Sequence, residues 1–476
     1  MGLEGSTDNW NLGTLPKLWV YNAHYFDDLL GAHWPVRSDW HQTLIELWLG
    51  ENPPGARPGW DPYPTSLRLV NWIAWSWAGN RLSERALHSL AVQARFLRER
   101  LEWHLLGNHL WANAKAMTFA GAFFEGVEAT SWLDKGLDLL DRELDEQVLP
   151  DGGHFERSPM YHAIILADLL DLLQLSSLHP DLIGSERTDR WTRTALSMQR
   201  WLSVMSHPDG GIAFFNDATL GIAPSLADIH DYARALGLRQ AEQASAPLES
   251  LADSGYVRMQ QGPVVLIADV GLIGPDYLPG HAHADTLSFE MSFFGQRIFV
   301  NRGISTYEVS AERLEQRGTA AHTTLQLDRQ DSSEVWSSFR VGRRARPMRV
   351  RCEPGLDEQG LRACHDGYAW LPGNPIACRR WQLSSHGLIV GDSIEGHFGS
   401  AIVRFHLHPD CGIGIDSERG GWIRSHGRLI RWRASPSCKV GIDLSQWHPG
   451  FNQSIASNVL VIETSENAVE TCFSWE

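Results

Sequence analysis

Apolar residues recur at intervals of three and four over residues 66–79, 84–104, 109–127, 131–148, 160–177, 187–206 and 225–236. That spacing gathers them on one face of a helix. Clusters of Gly, Pro and Asp between the segments mark the ends of consecutive helical hairpins. Past residue 245 the period becomes two. YVRMQQG, PVVLIADVG, TLSFEMSFFG, QRIFVNRG, HTTLQLD, RRARPMRVRCE, LIVGDSIEG, AIVRFHLHP, RLIRWRA and NVLVIET are short, rich in β-branched and aromatic residues and bounded by turn residues. They predict antiparallel strands. Residues 1–60 keep no sustained period and predict short helices and loops wrapped on the body, while AEQASAPLESLADSG at 241–255 has the small, polar composition of a linker. The expected organisation is an N-terminal arm (1–60), a helical domain (61–245) and an antiparallel β domain (246–476). A cleft between the helical and β parts is the favoured place for a ligand.

A chain of 476 residues with 43% hydrophobic content can bury one or two large cores,. The apolar run at 163–173 is interrupted by Asp168 and Asp171 and falls short of the roughly 20 residues a membrane helix needs, so no membrane span is expected. MGLEGSTDNWNLG at the N-terminus has neither a basic n-region nor an apolar h-region, and no secretory signal is read there. The formal charge of −16 argues against non-specific nucleic-acid binding. It leaves room for a local cationic cleft that takes an anionic ligand, because distant charge is screened within about 8 Å. The six cysteines all follow residue 351 without a close pair, which is neither a zinc cluster nor a dense disulfide scaffold. Tryptophan changes the picture most: 14 of the 21 precede residue 202. Core packing accounts for runs such as NWIAWSW, whereas indoles lining a groove would stack on sugar rings and donate their N–H.

Candidate chemistry concentrates in three stretches. In PGHAHADTLSFE (279–290) His281, His283 and Asp285 fall on alternate positions before an apolar run. On an extended strand they would share one face, bordering a site or, equally, lying on a solvated hairpin. GNHLWANAKA (107–116) and DGGHFERSPMYH (151–162) each adjoin a strongly helical segment. Asn108 is well suited to cap a helix entered at His109, and Tyr161 equally suits a core position. Connections such as LPDGGHFERSP and SHPDGGIAFFNDA are longer and more polar than a helix–helix link requires.

Together with LWVYNAHYFDDL, WDPYPTSLRLVNW, NRGISTYE and RGTAAHTTLQLD, and in that order along most of the chain, these stretches resemble the heparinase II/III-like polysaccharide lyases, a superfamily that includes related alginate and oligoalginate lyases. The resemblance implies an incomplete α/α toroid followed by a C-terminal antiparallel β-sandwich in a bacterial protein; the compartment, cytoplasm or periplasm, stays open. It implies β-elimination on a uronic-acid-containing polysaccharide. A base takes the C5 proton, the bond to the C4 oxygen breaks, and a neutralised carboxylate makes the proton acidic enough to leave. By the same resemblance Asn108 and His109 match the neutraliser, Tyr161 the acid that protonates the leaving oxygen and for one epimer also the base, and His281 the base on the other face. Arg157, His162 and His281 would lower the Tyr161 pKa as cationic neighbours. Tyr21, His24, Arg68, Asn71, Glu156, Arg157 and His162 are the expected substrate contacts. A zinc ion is implied at His283, Asn301 and His322, but Asn301 stands where a carboxylate ligand is expected, which weakens the site; Asp285 is the alternative carboxylate. Two other functions stay open. One is a glycoside hydrolase using loop carboxylates among Asp61, Asp151, Glu156 and Asp217; the other is a non-catalytic polysaccharide-binding or assembly protein. The expected partner is an anionic polysaccharide or oligosaccharide; the oligomeric state is not specified.

Overall fold

The computed structural model describes Trp10, residues 15–238 and residues 246–475. Part of the expected linker, residues 241–245, lies outside the described residues. The remainder is not a linker throughout, because Leu248–Leu251 pairs as a strand with Tyr256–Gln261. The chain divides into two compact units. One comprises Met1–Gln147 and Asp171–Arg190, the other Val148–Leu170 and Trp191–Glu476.

The first unit is helical. After α1 (Lys17–Ala23) and two short 3₁₀ turns come α2 (Ser38–Glu51), α3 (Pro62–Trp77), α4 (Glu84–Arg98), α5 (Gly107–Phe123) and α6 (Val127–Gln147). Local sequence explains the starts. Pro62 opens α3, where its fixed φ suits the first turn,, and the Ser83 hydroxyl caps α4 by accepting the Ala86 N–H at 3.1 Å,. In α4 the buried positions Ala86, Leu90, Gln93, Ala94 and Leu97 keep the three-and-four spacing. Helix α5 is buried on nearly all sides. Its close approach to α6 rests on two glycines: a Cβ on Gly121 would come within 2.4 Å of the Leu133 nitrogen, and one on Gly136 within 2.4 Å of Thr118 Oγ1. The tryptophans of this unit are chiefly core. Trp48, Trp72 and Trp111 are 0% exposed, and Trp48 meets Trp60 and Trp72 at centroid distances of 6.2 and 5.6 Å.

Helix α7 (Pro159–Leu178) runs from the second unit into the first, followed by α8 (Pro180–Ile183) and α9 (Ser185–Val204), which leads back. With 20 residues α7 reaches membrane-spanning length, longer than the apolar run suggested. Yet 61% of its most apolar stretch is buried inside the molecule, as in a core helix, and Asp171 on it pairs with Lys115 at 2.5 Å.

After α10 (Leu226–Ala235) the second unit is built from antiparallel sheets. The strands β1 (Leu248–Leu251), β2 (Tyr256–Gln261), β3 (Val264–Asp269), β4 (Phe289–Phe293) and β5 (Gln296–Phe299) form a meander in chain order. Next come α11 (Ala311–Arg317), β6 (Leu325–Leu327), a small hairpin of β7 (Val335–Trp336) and β8 (Arg340–Val341), β9 (Pro347–Glu353), β10 (Glu358–His365), β11 (Ile376–Ser384) and β12 (Gly387–Glu395). The last are β13 (Ala401–His406), β14 (Gly412–Ser417), β15 (Gly420–Ser425), β16 (Arg428–Ala434), β17 (Lys439–Trp447), β18 (Ile455–Thr464) and β19 (Ala468–Ser474). An eight-stranded sheet runs β14-β15-β16-β19-β12-β11-β10-β9, and a four-stranded sheet β17-β18-β13-β6. One core joins the three larger sheets. Phe299 of β5 meets Phe289 of β4 at 5.8 Å, Phe405 of β13 at 5.5 Å and Phe473 of β19 at 4.8 Å, and truncating such a ring to alanine costs about 3–5 kcal/mol.

Candidate active site

The loop after α9 anchors the site in the second unit. Within SHPDGGIAFFNDA the chain turns at Asn216, whose φ of 56° is left-handed, a conformation that Asn adopts more readily than most residues. Asn216 ties three segments together. Its backbone N–H donates to Asp285 Oδ2 at 3.2 Å, its Oδ1 accepts the His283 N–H at 3.1 Å, and its Nδ2 donates to the Arg157 carbonyl at 3.0 Å. The next residue, Asp217, is 0% exposed. Its carboxylate accepts hydrogen bonds from His281 Nδ1 and His283 Nε2, each at 2.8 Å, and from both terminal nitrogens of Arg313 at 2.5 and 2.7 Å. Burial alone would push the Asp217 carboxyl up, but Arg313 and the two imidazoles hold it well below the usual carboxylate range. An ionised carboxylate only accepts, so each imidazole nitrogen facing it carries the proton. In the neutral form of His281 this leaves the lone pair on Nε2.

Tyr161, in the first turn of α7, stacks its ring on His281 with centroids 3.9 Å apart. Its hydroxyl lies 3.0 Å from that of Tyr307, over whose ring the Arg313 guanidinium sits at 5.1 Å. Glu156 Oε2 is 3.7 Å from His281 Nε2. Burial, then Tyr307 and the carboxylates of Asp217 and Glu156, push the Tyr161 hydroxyl well above its ordinary pKa. The expected lowering by cationic neighbours is thus corrected. Arg157 directs its guanidinium to the Leu272 and Asp253 carbonyls; His162 is 0% exposed, stacked on Trp201 at 4.2 Å with Nε2 facing the Met198 carbonyl at 2.9 Å. Burial keeps His162 from touching a substrate, and its expected contact is corrected. The strand expected through His281, His283 and Asp285 is also corrected: residues 281–287 form an irregular loop, and β4 begins at Phe289. The two histidines still reach one carboxylate from alternate positions, whereas Asp285 turns to the Asn216 N–H.

In the first unit, Asn108 is not the helix cap. The cap position is Leu106, at φ 57° and without a side-chain bond, and α5 starts at Gly107. Asn108 therefore sits in the first helical turn, 8% exposed. His109 beside it places Nδ1 3.2 Å from Glu102 Oε1 and packs on Tyr63 at 4.5 Å. The Tyr21 hydroxyl donates to Asp61 Oδ2 at 2.5 Å, and Asn71 Nδ2 donates to the Tyr25 carbonyl and to Asp27 Oδ1, both at 2.9 Å. His24 and Arg68 are 0% exposed, and their assignment as substrate contacts is corrected. Arg68 donates to Gln93 Oε1 and to the Gly59 and His24 carbonyls and lies 3.9 Å over Trp48. His24 accepts the Trp48 indole N–H at 2.9 Å.

The family model described as "Heparinase II/III N-terminus" matches residues 81–240 and the one described as "Heparinase II/III-like, C-terminal" matches residues 243–476. The chain belongs to the heparinase II/III-like family. It is 27% identical over 251 residues to a heparin-sulfate lyase of Bacteroides stercoris, an alignment covering 48% of this chain and 37% of that protein. The chain thus spans well under half of that relative's length. It is 26% identical over 462 residues to FtsZ-localized protein C of Caulobacter vibrioides (strain NA1000 / CB15N), covering 82% of this chain and 73% of that one. The crystal structure of a mutant of the heparan sulfate lyase HepC from Pedobacter heparinus superposes with TM-score 0.71 at 18% identity, covering 99% of this chain and 79% of that one. That likeness establishes the fold as the expected α/α toroid followed by an antiparallel β-sandwich.

The zinc site implied by the family resemblance does not fit these residues. His283 Nδ1 and His322 Nε2 do face each other at 3.3 Å. Burial brings the His283 pKa down to about 4 and that of His322 well below its usual value, so both imidazoles are neutral. The third donor fails. Asn301 Oδ1 accepts the Thr323 N–H at 3.2 Å and its Nδ2 faces Ser288 Oγ at 3.4 Å. Asp285, the alternative carboxylate, accepts the Asn216 N–H, and burial raises its pKa to about 7. Among the described residues no three His, Cys, Asp or Glu side chains form a set that could hold a metal ion. Two imidazoles and a neutral amide supply too little charge for tight zinc binding.

Sequence reasoning missed the roles of Asp217, Arg313, Tyr307 and Asn216. Tyr307 stood within NRGISTYE, and Asp217 stood in a conspicuously polar loop, but only the fold joins Asp217 to His281 and Arg313.

Proposed function

We propose that the protein is a polysaccharide lyase that cleaves a uronic-acid-containing chain by β-elimination. His281 Nε2 takes the proton from C5, the C4–O4 bond breaks as the C4–C5 double bond forms, and the Tyr161 hydroxyl gives its proton to O4. Asn108, with His109, donates to the uronate carboxylate and so favours the charge that develops there. The observation carrying this reading is the Tyr161–His281 stack at 3.9 Å with Asp217 on His281 Nδ1. It pairs a proton donor that stays protonated with an acceptor whose tautomer is fixed. The raised pKa of Tyr161 favours the acid role over the base role for this residue. No step requires a metal.

A hydrolase would need one carboxylic acid and one carboxylate free to flank the bond. Asp61 is held by Arg57 and Tyr21, Asp151 by the Ser254 N–H and hydroxyl, and Asp217 by Arg313 and two histidines. This disfavours that reading. The test is to incubate purified protein with heparan sulfate, hyaluronan, alginate and bacterial exopolysaccharides and to follow the ultraviolet absorbance of the unsaturated uronate. Absorbance should grow on at least one polymer and fail to grow with Tyr161→Phe; a flat trace on every uronate polymer would remove the proposal.

A further inference from the structure

The outer face of the eight-stranded sheet carries a row of arginines that the site does not use. Register places Arg362 of β10 directly opposite Arg351 of β9 and Arg380 of β11, and all three are exposed. Strands lie about 4.8 Å apart, so the row crosses roughly 10 Å of sheet. Like charges directly opposite one another destabilise a sheet, and nothing relieves two of these three. Arg380 pairs with Glu470 at 3.1 Å. Arg351 and Arg362 have no carboxylate partner among the described residues. The row continues across Gly391 of β12, opposite Arg380, and Glu470 of β19, opposite Gly391. A Cβ on Gly391 would lie 3.6 Å from the Arg380 guanidinium, so the glycine leaves a flat floor beneath it. Beyond it the face opens into a concavity of about 900 Å³ whose charges are balanced, Arg419 pairing with Glu418 and Arg431 with Asp416, so the unpaired positive charge is that of Arg351 and Arg362. In a chain of net charge −16 the Arg351–Arg362–Arg380 row is a local strip of opposite sign, and screening within about 8 Å lets it act locally.

We infer that this strip is a second binding surface for an anionic polysaccharide, separate from the active site and holding the polymer while the chain is cleaved. The inference rests on the lyase reading for the identity of its ligand. Guanidinium groups bind carboxylate and sulfate in a bidentate fork, and a row one residue wide fits one linear chain. A nucleic-acid duplex needs a broader basic footprint. A single strand needs aromatic platforms between the charges, and the Arg351–Arg362–Arg380–Gly391 row has none.

The test is retention on immobilised heparan sulfate and immobilised alginate under a salt gradient, with neutral dextran and single-stranded DNA columns as comparisons. Wild-type protein should be retained on at least one anionic polysaccharide and not on dextran. Arg351→Ala combined with Arg362→Ala should bind roughly 30-fold more weakly, Arg362→Lys, which keeps the charge and loses the fork, should be retained less than wild type and more than Arg362→Ala, and melting of the double variant should not fall, since a repulsion is removed. Activity on short oligosaccharides should stay within about twofold. Unchanged retention of the double variant, or retention on DNA alone, overturns the inference. Binding is read without turnover, so loss of retention in the double variant supports the strip even if no polymer is cleaved, and cleavage with unchanged retention removes the strip while leaving the lyase reading.

Discussion

Replacing Asp217 by asparagine perturbs the site at its hub while keeping its shape. The carboxylate is 0% exposed and holds two imidazoles and both terminal nitrogens of Arg313. The amide keeps one acceptor and loses the charge, so Arg313 is left buried and uncompensated, which costs about 3–5 kcal/mol. The amide nitrogen also donates where the carboxylate accepted, which favours the wrong His281 tautomer with the proton on Nε2. Loss of a correctly protonated base lowers turnover by about 10²- to 10⁴-fold. Two measurements separate these effects: thermal or denaturant melting for stability, and the ultraviolet rate for turnover. Combining Asp217→Asn with Arg313→Met removes the stranded charge and should recover part of the stability, since an apolar replacement of a buried pair is often tolerated. Turnover should stay low, because His281 still lacks its acceptor. Full turnover in Asp217→Asn, or turnover recovering alongside stability in the double variant, would refute the positioning argument.

Further outcomes follow from the same geometry. Tyr161→Phe should lower turnover at least about 10²-fold with an unchanged melting curve; near wild-type rates on the true substrate would move the acid role elsewhere. Metal analysis of protein purified without added zinc should give substoichiometric occupancy, and Asn301→Asp should raise it; full occupancy resistant to mild chelation would show that another group completes the shell. Stability should fall on acidification. Burial lowers the pKa of His24 and His283 to about 4 and of His162, His365 and His406 to about 3, from an ordinary 6.5. The unfolded chain therefore binds protons that the folded chain refuses, so their contribution is whole above pH 6.5 and drains away between there and about 3–4. Asp285, raised from 3.8 to about 7, acts oppositely, its contribution being lost as pH rises through 7. Burial lowers His154, His207 and His322 as well, so the histidines outnumber the raised carboxyls Asp27, Asp269, Asp285 and Asp331 and the net slope below pH 6.5 is destabilising. Melting temperatures flat from pH 7 to pH 4.5 would contradict it.

Much of the fold was legible because burial is one-sided. The spacing in α4 and α6 is the spacing of their buried faces, and RLIRWRA alternates along β16 as a half-buried strand does. The strands β10 and β11 escaped notice because their outer faces carry charge where alternation is weighed against turns: EQGLRACH and IACRRWQLS expose Arg362 and Arg380 between buried neighbours. The stretches holding Asn108, Tyr161 and His281 were legible from local motifs. Asp217 was not, since it meets His281 across 64 residues and Arg313 across 96. The pKa direction of Tyr161 was misjudged for a related reason, because the fold buries its hydroxyl beside Tyr307, Asp217 and Glu156 while Arg157 and His162 turn to backbone carbonyls.

The most direct test of the central claim is to let the protein degrade its uronate polymer in heavy-oxygen water and weigh the products. Elimination takes up no water, so the new ends should comprise an unsaturated uronate and an unlabelled sugar of the original composition. Products gaining the mass of one labelled water per cleavage, with saturated ends, would show hydrolysis and contradict the assignment of Tyr161 and His281.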